Sequence, residues 1–496
     1  MLDREASYRA LQARDPRFDG RVFIGVVTTG VFCRPVCPAP TARFENCRFY
    51  RSAAAAQEEG FRPCLRCRPE LVADLGGWRH GSWLVGRALE RIHAGYLDDE
   101  ANDLESLARE LDITSRHLRR LFQEQVGASP IAVAQSRRVL LAKQLLHDTR
   151  LPITEVAFAA GFRSLRRFNE TFRALFGRPP SALRRRQRAS GGAGVSLRLR
   201  YRAPFDWSAL LAFFAARAID GVEWVEDGRY ARCLRHDGEV GRVVVHDVPA
   251  DHHLVAELEL PSLRGLGRLV AQLRRLFDLD ADPAFIGAHL RRDPWLAPLV
   301  SRHPGLRVPG AWDPFEQAVR AVLGQQITVE AARRLGAQLV RATGERTPLE
   351  DARLGHVFPS PPAVLAADLS TLRMPRARRQ ALVTLAEAAS RDPSLFRGGA
   401  SAEAVARRLD ALPGIGAWTS QLVGLRALGD PDAFPASDAA LLRAVSDREA
   451  ARGHDRTRPK PRDLERRAEP WRPWRGYAAQ HLWASLGDAP SPESPS

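Results

Sequence analysis

The sequence predicts a multidomain chain, mainly α with α+β parts, and three observations carry that expectation. Its 496 residues suffice for roughly three domains at about 150 residues each. Five of the six cysteines fall in the stretch that ends at Cys67, which sets that stretch apart. Helical periodicity fills residues 84 to 188 and 308 to 487, while alternating strand-like runs appear between them.

Composition narrows the class. The formal net charge is +16, so a polyanion, nucleic acid or a membrane surface, is the expected partner class. An apolar share of 45% excludes a mainly disordered chain. No window holds the roughly 18 uninterrupted apolar residues a membrane span needs, and the start, MLDREASYRALQARD, lacks a signal peptide's apolar core. A cytosolic protein is expected. Lys143 and Lys460 are the only lysines, so amine chemistry has two candidate side chains.

Residues 1 to 75 carry Cys33-x3-Cys37 and Cys64-x2-Cys67, two chelating pairs with 26 residues between them. In a reducing compartment such pairs favour metal over disulfides, and this spacing closes a tetrahedral site of four thiolates around one zinc. Taken alone, it favours a zinc that only holds about 70 residues together where the core is small. Cys47 and Cys233 fit neither pair and are expected as small core residues. The flanking residues say more: Thr28-Thr29-Gly30-Val31-Phe32-Cys33-Arg34-Pro35-Val36-Cys37, Glu45-Asn46, Phe49-Tyr50 and Gly60-Phe61-Arg62-Pro63-Cys64-Leu65-Arg66-Cys67 closely resemble the amino-terminal domain of the Ada adaptive-response proteins. The resemblance implies a small zinc-bound α/β domain in which Cys33 irreversibly takes the methyl group of a methylphosphotriester in DNA. Four thiolates on one Zn²⁺ leave a surplus of two negative charges, and a methylated phosphate has lost the charge that would repel them. Where the family tends to have basic residues after the second cysteine, this chain has Pro38-Ala39-Pro40, which leaves Arg34, Arg43 and Arg62 for phosphate. The family's acceptor for O6-methylguanine has no counterpart, because Cys233 is the only later cysteine.

Residues 84 to 188 contain an internal repeat. Phe122, Val126, Gly127 and Pro130 recur fifty positions later as Phe172, Phe176, Gly177 and Pro180. Each copy has a short helix (Leu104 to Leu111; Ile153 to Ala160), a turn, a serine able to cap (Ser115; Ser164) and an Arg-rich second helix. Residues 116 to 188 hold 16 Lys/Arg against four acids, which is most of the chain's excess charge. Repeated helix-turn-helix units with basic second helices point to DNA. The pair resembles the AraC-type DNA-binding domain, a double helix-turn-helix in which a long helix, here about Ile131 to His147, holds both units. That likeness implies that Arg116, Arg119, Arg120, Arg166, Arg167, Asn169 and Arg173 face the grooves.

Ala189 to Gly194 (ASGGAG) is small and flexible, and is expected as a linker. Residues 195 to 307 mix alternating runs such as Val240 to Val245 with helices such as Trp207 to Ala218, an α+β segment. Residues 308 to 487 return to amphipathic helices punctuated by Pro and Gly, and 488 to 496 is expected as a disordered tail. Within the helical part, Leu412-Pro413-Gly414-Ile415-Gly416 permits a tight hairpin at a helix start, a cradle for one DNA phosphate with a monovalent cation on its carbonyl side. Twenty residues beyond Trp418 come Ser437, expected as a helix cap, and Asp438, which on position alone is a cap before it is a catalyst.

Together with Pro204-Phe205-Asp206-Trp207-Ser208, Phe213-x-Ala215-Ala216-Arg217, Arg275-Leu276-Phe277-Asp278-Leu279 and Trp471-Arg472-Pro473-Trp474, these features resemble the helix-hairpin-helix DNA glycosylases, and among them the AlkA-type 3-methyladenine enzymes. The resemblance implies an α+β AlkA-type amino-terminal domain (195 to 307) and an all-α glycosylase domain (308 to 487). It assigns the essential carboxylate to Asp438, the base pocket to Trp418, Trp474 and Phe213, the phosphate grip to Gly414 and Gly416, and the wedge that fills the flipped base's place to Gln326 or Ile327. A base alkylated at N3 or N7 is cationic and leaves as a neutral molecule, so one carboxylate facing the sugar cation suffices. Electron-rich rings favour such a base without a fixed hydrogen-bond pattern. Trp418 stands where related strand-cutting enzymes have a lysine, so excision without lyase chemistry is expected.

The combined expectation is a bacterial cytoplasmic, nucleoid-associated monomer that binds double-stranded DNA, excises alkylated bases and accepts methyl groups. It acts as a transcription activator, with RNA polymerase as a further partner. The alternative is a regulator only, with a silent glycosylase fold.

Overall fold

A computed structural model of the chain describes residues 3–71, 83–184, 194–343, 345–392, 394–396, 402–453 and 458–487. The expected linker lies outside these residues apart from Gly194, and the expected tail lies outside them entirely. The chain divides into two units, Met1–Tyr201 with Ala231–Arg274, and Arg202–Tyr230 with Arg275–Ser496.

In the first unit, short apolar runs form β1 (Phe23–Val26), β2 (Val31–Cys33), β3 (Cys47–Tyr50) and β4 (Arg62–Pro63), a sheet in the order β3-β1-β2-β4. β1 and β2 are antiparallel with Ile24 opposite Cys33, and Gly30 takes φ +63° in the turn between them. β2 and β4 are parallel, with Val31 opposite Arg62. Since Cys33 ends β2 and Cys64 follows β4, this parallel pair brings the two halves of the cysteine motif together.

The repeat then folds as two short-helix and second-helix pairs, Leu104–Glu110 with Ser115–Gln125, and Ile153–Ala159 with Leu165–Phe176. Leu118 and Phe122 are buried in one second helix and Phe168 and Phe172 in the other, the i, i+4 spacing of a one-faced helix. Ser164 caps its helix as expected. The other cap differs: Thr114 accepts the N–H of His117 and Ser115 is already the first helical residue. Between the pairs runs Pro130–Asp148, capped by Ser129, which we call the spine helix. Gln144, Lys143, Ser136, Arg137 and His147 on it are buried together with its leucines, so it has little exposed face.

A second sheet takes β5 (Val195–Arg200), β6 (Glu223–Glu226), β7 (Arg229–His236), β8 (Glu239–Val248) and β9 (His253–Glu259) in the order β5-β9-β8-β7-β6. β9 is antiparallel to both β5 and β8, with Leu197 and Val245 each opposite Ala256.

The second unit is chiefly helical. One core cluster gathers Trp295, Phe434, Leu441, Trp471, Trp474 and Tyr477, and another gathers Val319, Val322, Leu339, Leu382, Ile415 and Val423. The sequence LPGIG lies between helices Ala402–Asp410 and Ala417–Arg426. Gly414 takes φ +83°, and a Cβ there would lie 2.5 Å from Cβ of Ala381 on helix Arg376–Arg391. A larger residue would be strained and would also lift the hairpin off that helix. Among the described residues, no helix is long and apolar enough to cross a membrane.

Candidate functional site

In the first unit, the sulfurs of Cys33, Cys37, Cys64 and Cys67 all lie within 4.8 Å of one another. Backbone N–H groups face the cluster, Arg34 donating to Cys67 Sγ at 3.4 Å and Arg66 to Cys64 Sγ at 3.3 Å, as thiolates require. Hydrogen bonding among the four sulfurs pulls Cys64 down and pushes Cys33 up, so the four titrate together as one group. Four soft donors converging on one point fit a single zinc. Cys37, Cys64 and Cys67 are buried, while Cys33 keeps partial exposure although the ligand atoms themselves are enclosed. Cys47 is buried at the start of β3 and Cys233 within β7.

Of the arginines expected at the phosphate, Arg43 is exposed and Arg62 partly so. Arg34 is not available. It is 6% exposed, pairs with Asp19, and donates to the Cys67 carbonyl at 3.0 Å. Its guanidinium supports the cysteine loop from within. On the second helices, Arg116, Arg119, Arg120, Arg166, Arg167 and Arg173 are all exposed and Asn169 partly so. Arg119, Arg120 and Arg166 meet Glu105, Glu124 and Glu170 in surface pairs that hold long side chains only weakly.

In the second unit, Asp438 is the N-cap of helix Ala439–Ala450. Of the two expected caps, Ser437 is exposed and does not take that position, because Asp438 Oδ1 accepts the N–H groups of Ala440 at 3.0 Å and Leu441 at 2.9 Å. Two indoles complete the carboxylate's shell. Trp418 Nε1 donates to Oδ2 at 2.8 Å, and Trp483 Nε1 donates to Oδ1 at 2.9 Å. Four N–H donors therefore fix this side chain, and both tryptophans keep some exposure beside it.

Trp483 was not singled out from the sequence. Trp474, which was, is 2% exposed and packs edge-on against Phe285 and Tyr477 in the core. Phe213 meets two guanidiniums, Arg217 at 4.0 Å and Arg426 at 4.4 Å from its ring centroid, and Arg426 also lies 5.2 Å from the Trp483 ring. Burial, with the charge of Arg320 adding at Arg217 and that of Arg217 adding at Arg426, and Asp438 opposing at both, lowers Arg217 to about 10 and Arg426 to about 9. Neither lysine attends this site: Lys143 is buried in the first unit, and Lys460 is exposed at the start of helix Pro461–Ala468.

The loop after helix Pro314–Gly324 puts Gln326 in the left-handed region, φ +59°, with its side chain exposed, while Ile327 packs against the core. Strain at an exposed tip marks Gln326 as the projecting residue. Its neighbour Gln325 donates from Nε2 to the Gly414 carbonyl at 3.0 Å and to Thr419 Oγ1 at 3.3 Å, and Arg378 donates to the Gln325 carbonyl. The hairpin and the projecting loop are thus bonded to each other. Gly416 caps Ala417–Arg426 with open space where a Cβ would be, leaving that helix start approachable.

Family models match three stretches: the metal binding domain of Ada over residues 6–70, a helix-turn-helix domain over 107–186, and the AlkA N-terminal domain over 196–313. The DNA-3-methyladenine glycosylase 2 of Escherichia coli is 36% identical over 59% of this chain and 98% of its own length. A solved 3-methyladenine DNA-glycosylase from Archaeoglobus fulgidus superposes with a TM-score of 0.51 at 23% identity, over 58% of this chain and 96% of that one, which shows a shared fold. The probable bifunctional transcriptional activator/DNA repair enzyme AlkA of Mycobacterium tuberculosis is 42% identical over 98% of this chain and 97% of its own length. Joined end to end in that same arrangement, the chain belongs to the family of bifunctional transcriptional activator/DNA repair proteins that combine an Ada-type metal-binding domain with an AlkA-type glycosylase.

Proposed function

We propose that the protein repairs alkylated DNA in two ways and regulates transcription in response. The observation that carries the excision half is Asp438 held between Trp418 and Trp483. Capping alone would be served as well by serine or asparagine, whereas two indoles on one carboxylate make a slot where a flat base and a charged wall coincide.

In that slot the alkylated base rests against the tryptophan faces while Asp438 faces the sugar. The N-glycosidic bond breaks with its electron pair passing to the base, which leaves neutral. Asp438 opposes the positive charge that develops on the sugar, and water adds hydroxide to C1′ and releases a proton. With no lysine at the site, the abasic strand stays uncut. Gly414 and Gly416 hold a phosphate at the hairpin, where a monovalent cation on the carbonyl side would fit, and Gln326 enters the space the base leaves.

In the other half, Cys33, Cys37, Cys64 and Cys67 would hold one Zn²⁺, which keeps thiolates deprotonated at neutral pH. The Cys33 sulfur attacks the methyl carbon of a methylphosphotriester. A C–S bond forms, the C–O bond breaks, and its electron pair leaves on the phosphate oxygen. The acceptor role of Cys33 rests on its place in the Ada-type motif, with Arg43 and Arg62 at the phosphate. Arg116, Arg119, Arg120, Arg166, Arg167 and Arg173 read or grip double-stranded DNA. As an activator, the protein works beside RNA polymerase as a monomer on the bacterial nucleoid.

One experiment tests both halves: incubate the purified protein with methylated DNA, then score released bases and the mass of the Cys33 peptide. Released 3-methyladenine and a peptide heavier by one methyl group are expected. An unmodified peptide with no released base would leave a regulator with a silent glycosylase fold.

A further inference from the structure

The spine helix Pro130–Asp148 has a use beyond holding the two helix-turn-helix pairs apart. Residues on it sort into stripes by helical spacing, and two of the stripes face partners outside those pairs.

The first stripe is Leu140, Lys143 and His147, at i, i+3 and i+7, and it meets the cysteine domain. Leu140 packs against the cluster of Phe23, Phe32, Ala53 and Ala56. Lys143 is fully buried, and its ammonium donates to the Cys64 carbonyl at 2.8 Å and to Glu70 at 2.5 Å. Glu70 also accepts from Arg68 at 3.0 Å, and Arg68 reaches back to Asp148 at the helix end. A buried charge needs such a shell, and the shell includes the backbone of a metal-binding cysteine.

The second stripe is Arg137, Leu141 and Gln144, at i, i+4 and i+7, about a quarter turn around the helix from the first. All three are under 9% exposed. Gln144 donates to the carbonyl of Arg198 at 3.0 Å on β5, the edge strand of the second sheet. Arg137, pinned by Asp98, occupies the place a side chain at Gly267 would take, and a Cβ there would lie 3.7 Å from Leu141. Gly267 is the second residue of helix Leu266–Leu276. A glycine without a left-handed backbone has no conformational need to be one, so here the need is room for the spine. An edge strand capped by a buried amide and a helix start fitted to a guanidinium make a built joint.

We propose that the spine helix couples the methyl-acceptor centre to the amino-terminal sheet of the glycosylase, so that methylation of Cys33 changes the rate of base excision. This rests on both halves of the proposed function. Helix Leu266–Leu276 begins in the first unit and its last two residues belong to the second, so the joint with the spine lies on the chain segment that leads into the unit bearing Asp438. Thermodynamic linkage makes the coupling reciprocal for binding: whatever the sheet favours in one state of the zinc centre, the zinc centre favours in return.

The test uses the full, zinc-loaded chain before and after complete methylation by methylphosphotriester DNA, checked by mass. Two quantities are read: single-turnover excision from a duplex with one alkylated base, and hydrogen exchange in peptides covering 195–200 and 266–274. Methylation should change excision at least threefold and should shift exchange in both peptides. In Gly267→Leu, or in the milder Gln144→Ala, both responses should vanish while excision by the unmethylated chain stays within twofold of the parent. Excision or exchange unaltered by methylation in the parent chain would overturn the proposal. Absence of any excision, or of any methylated Cys33, would instead count against the proposed function.

Discussion

Replacing Asp438 by asparagine separates two jobs that one side chain performs. Three of its four hydrogen bonds converge on Oδ1, from Trp483, Ala440 and Leu441, so the amide oxygen of asparagine will take that position. Its NH2 group then faces the Trp418 indole N–H, which donates across 2.8 Å in the parent. Two donors in opposition repel, and Trp418 swings away. Helix capping survives, since asparagine caps as well as aspartate, so stability should fall by no more than about 1 kcal/mol. Catalysis loses a full charge. At about 4 Å and an effective dielectric constant near 20, that charge is worth about 4 kcal/mol against the sugar cation, or about a thousandfold in rate. Asp438→Ala loses the cap as well and should melt lower by a further ~1 kcal/mol. The measurements are single-turnover release of 3-methyladenine, thermal melting of all three proteins, and DNA affinity, which should hold or rise in the asparagine variant. Excision by Asp438→Asn within tenfold of the parent would refute the assignment, whatever the melting curves show.

Elemental analysis should give one zinc per chain, unchanged in Cys47→Ser and Cys233→Ser and lost in Cys64→Ser, with chelation lowering the melting temperature of the first unit. Methylation of Cys33 removes one negative charge from the site, which at about 7 Å is worth about 0.6 to 2.4 kcal/mol per phosphate, so affinity for specific DNA should rise by roughly 3- to 60-fold at low salt and by less at high salt; equal affinities in a low-salt titration would exclude this. Gln325→Ala frees the projecting loop from the hairpin, so excision should fall by about tenfold for a stacked, paired lesion and far less for one in an unpaired bubble, compared under single-turnover conditions. Burial first, with His303 and Arg291 adding to it, lowers His481 from 6.5 to about 4. Below pH 6.5 the unfolded chain takes this proton and the folded chain does not, so up to about 3 kcal/mol of stability is lost as the pH falls to about 4; melts at pH 7 and pH 4.5 should differ less in His481→Leu.

Much of the site was legible in the sequence because its residues sit in short, contiguous motifs. The cysteine spacing, the fifty-residue repeat and the LPGIG hairpin each depend on a few neighbours, and Ser164 capped where the pattern placed it. The misses share a cause. Thr114 for Ser115 is a one-residue shift that turns on a backbone angle, and of Ser437 and Asp438, both candidate caps, only the structure shows that Asp438 takes the position; adjacent polar residues carry no sign of which one leaves the helix. Trp474 and Trp483 lie in and beside one helix, Arg475–Ser485, and only the packing of that helix decides which indole turns to Asp438. Arg34 looked like a phosphate ligand because Asp19, its partner, is fifteen residues away. The spine helix hides most completely: its buried Lys143, Gln144 and Arg137 read as surface residues until the partners on three sides are in place.

The near absence of lysine gives the chain an unusual analytical convenience. Lys143 is sealed in the first unit and Lys460 is exposed in the second. An amine-reactive reagent applied first near neutral pH would block the α-amino group, the less basic of the two amines, and a fluorophore applied afterwards at higher pH would attach at one known position, Lys460, leaving every arginine on the DNA-facing helices untouched. The labelled protein would report the approach of a dye-bearing duplex to the glycosylase unit by energy transfer, without engineered cysteines that would compete for zinc.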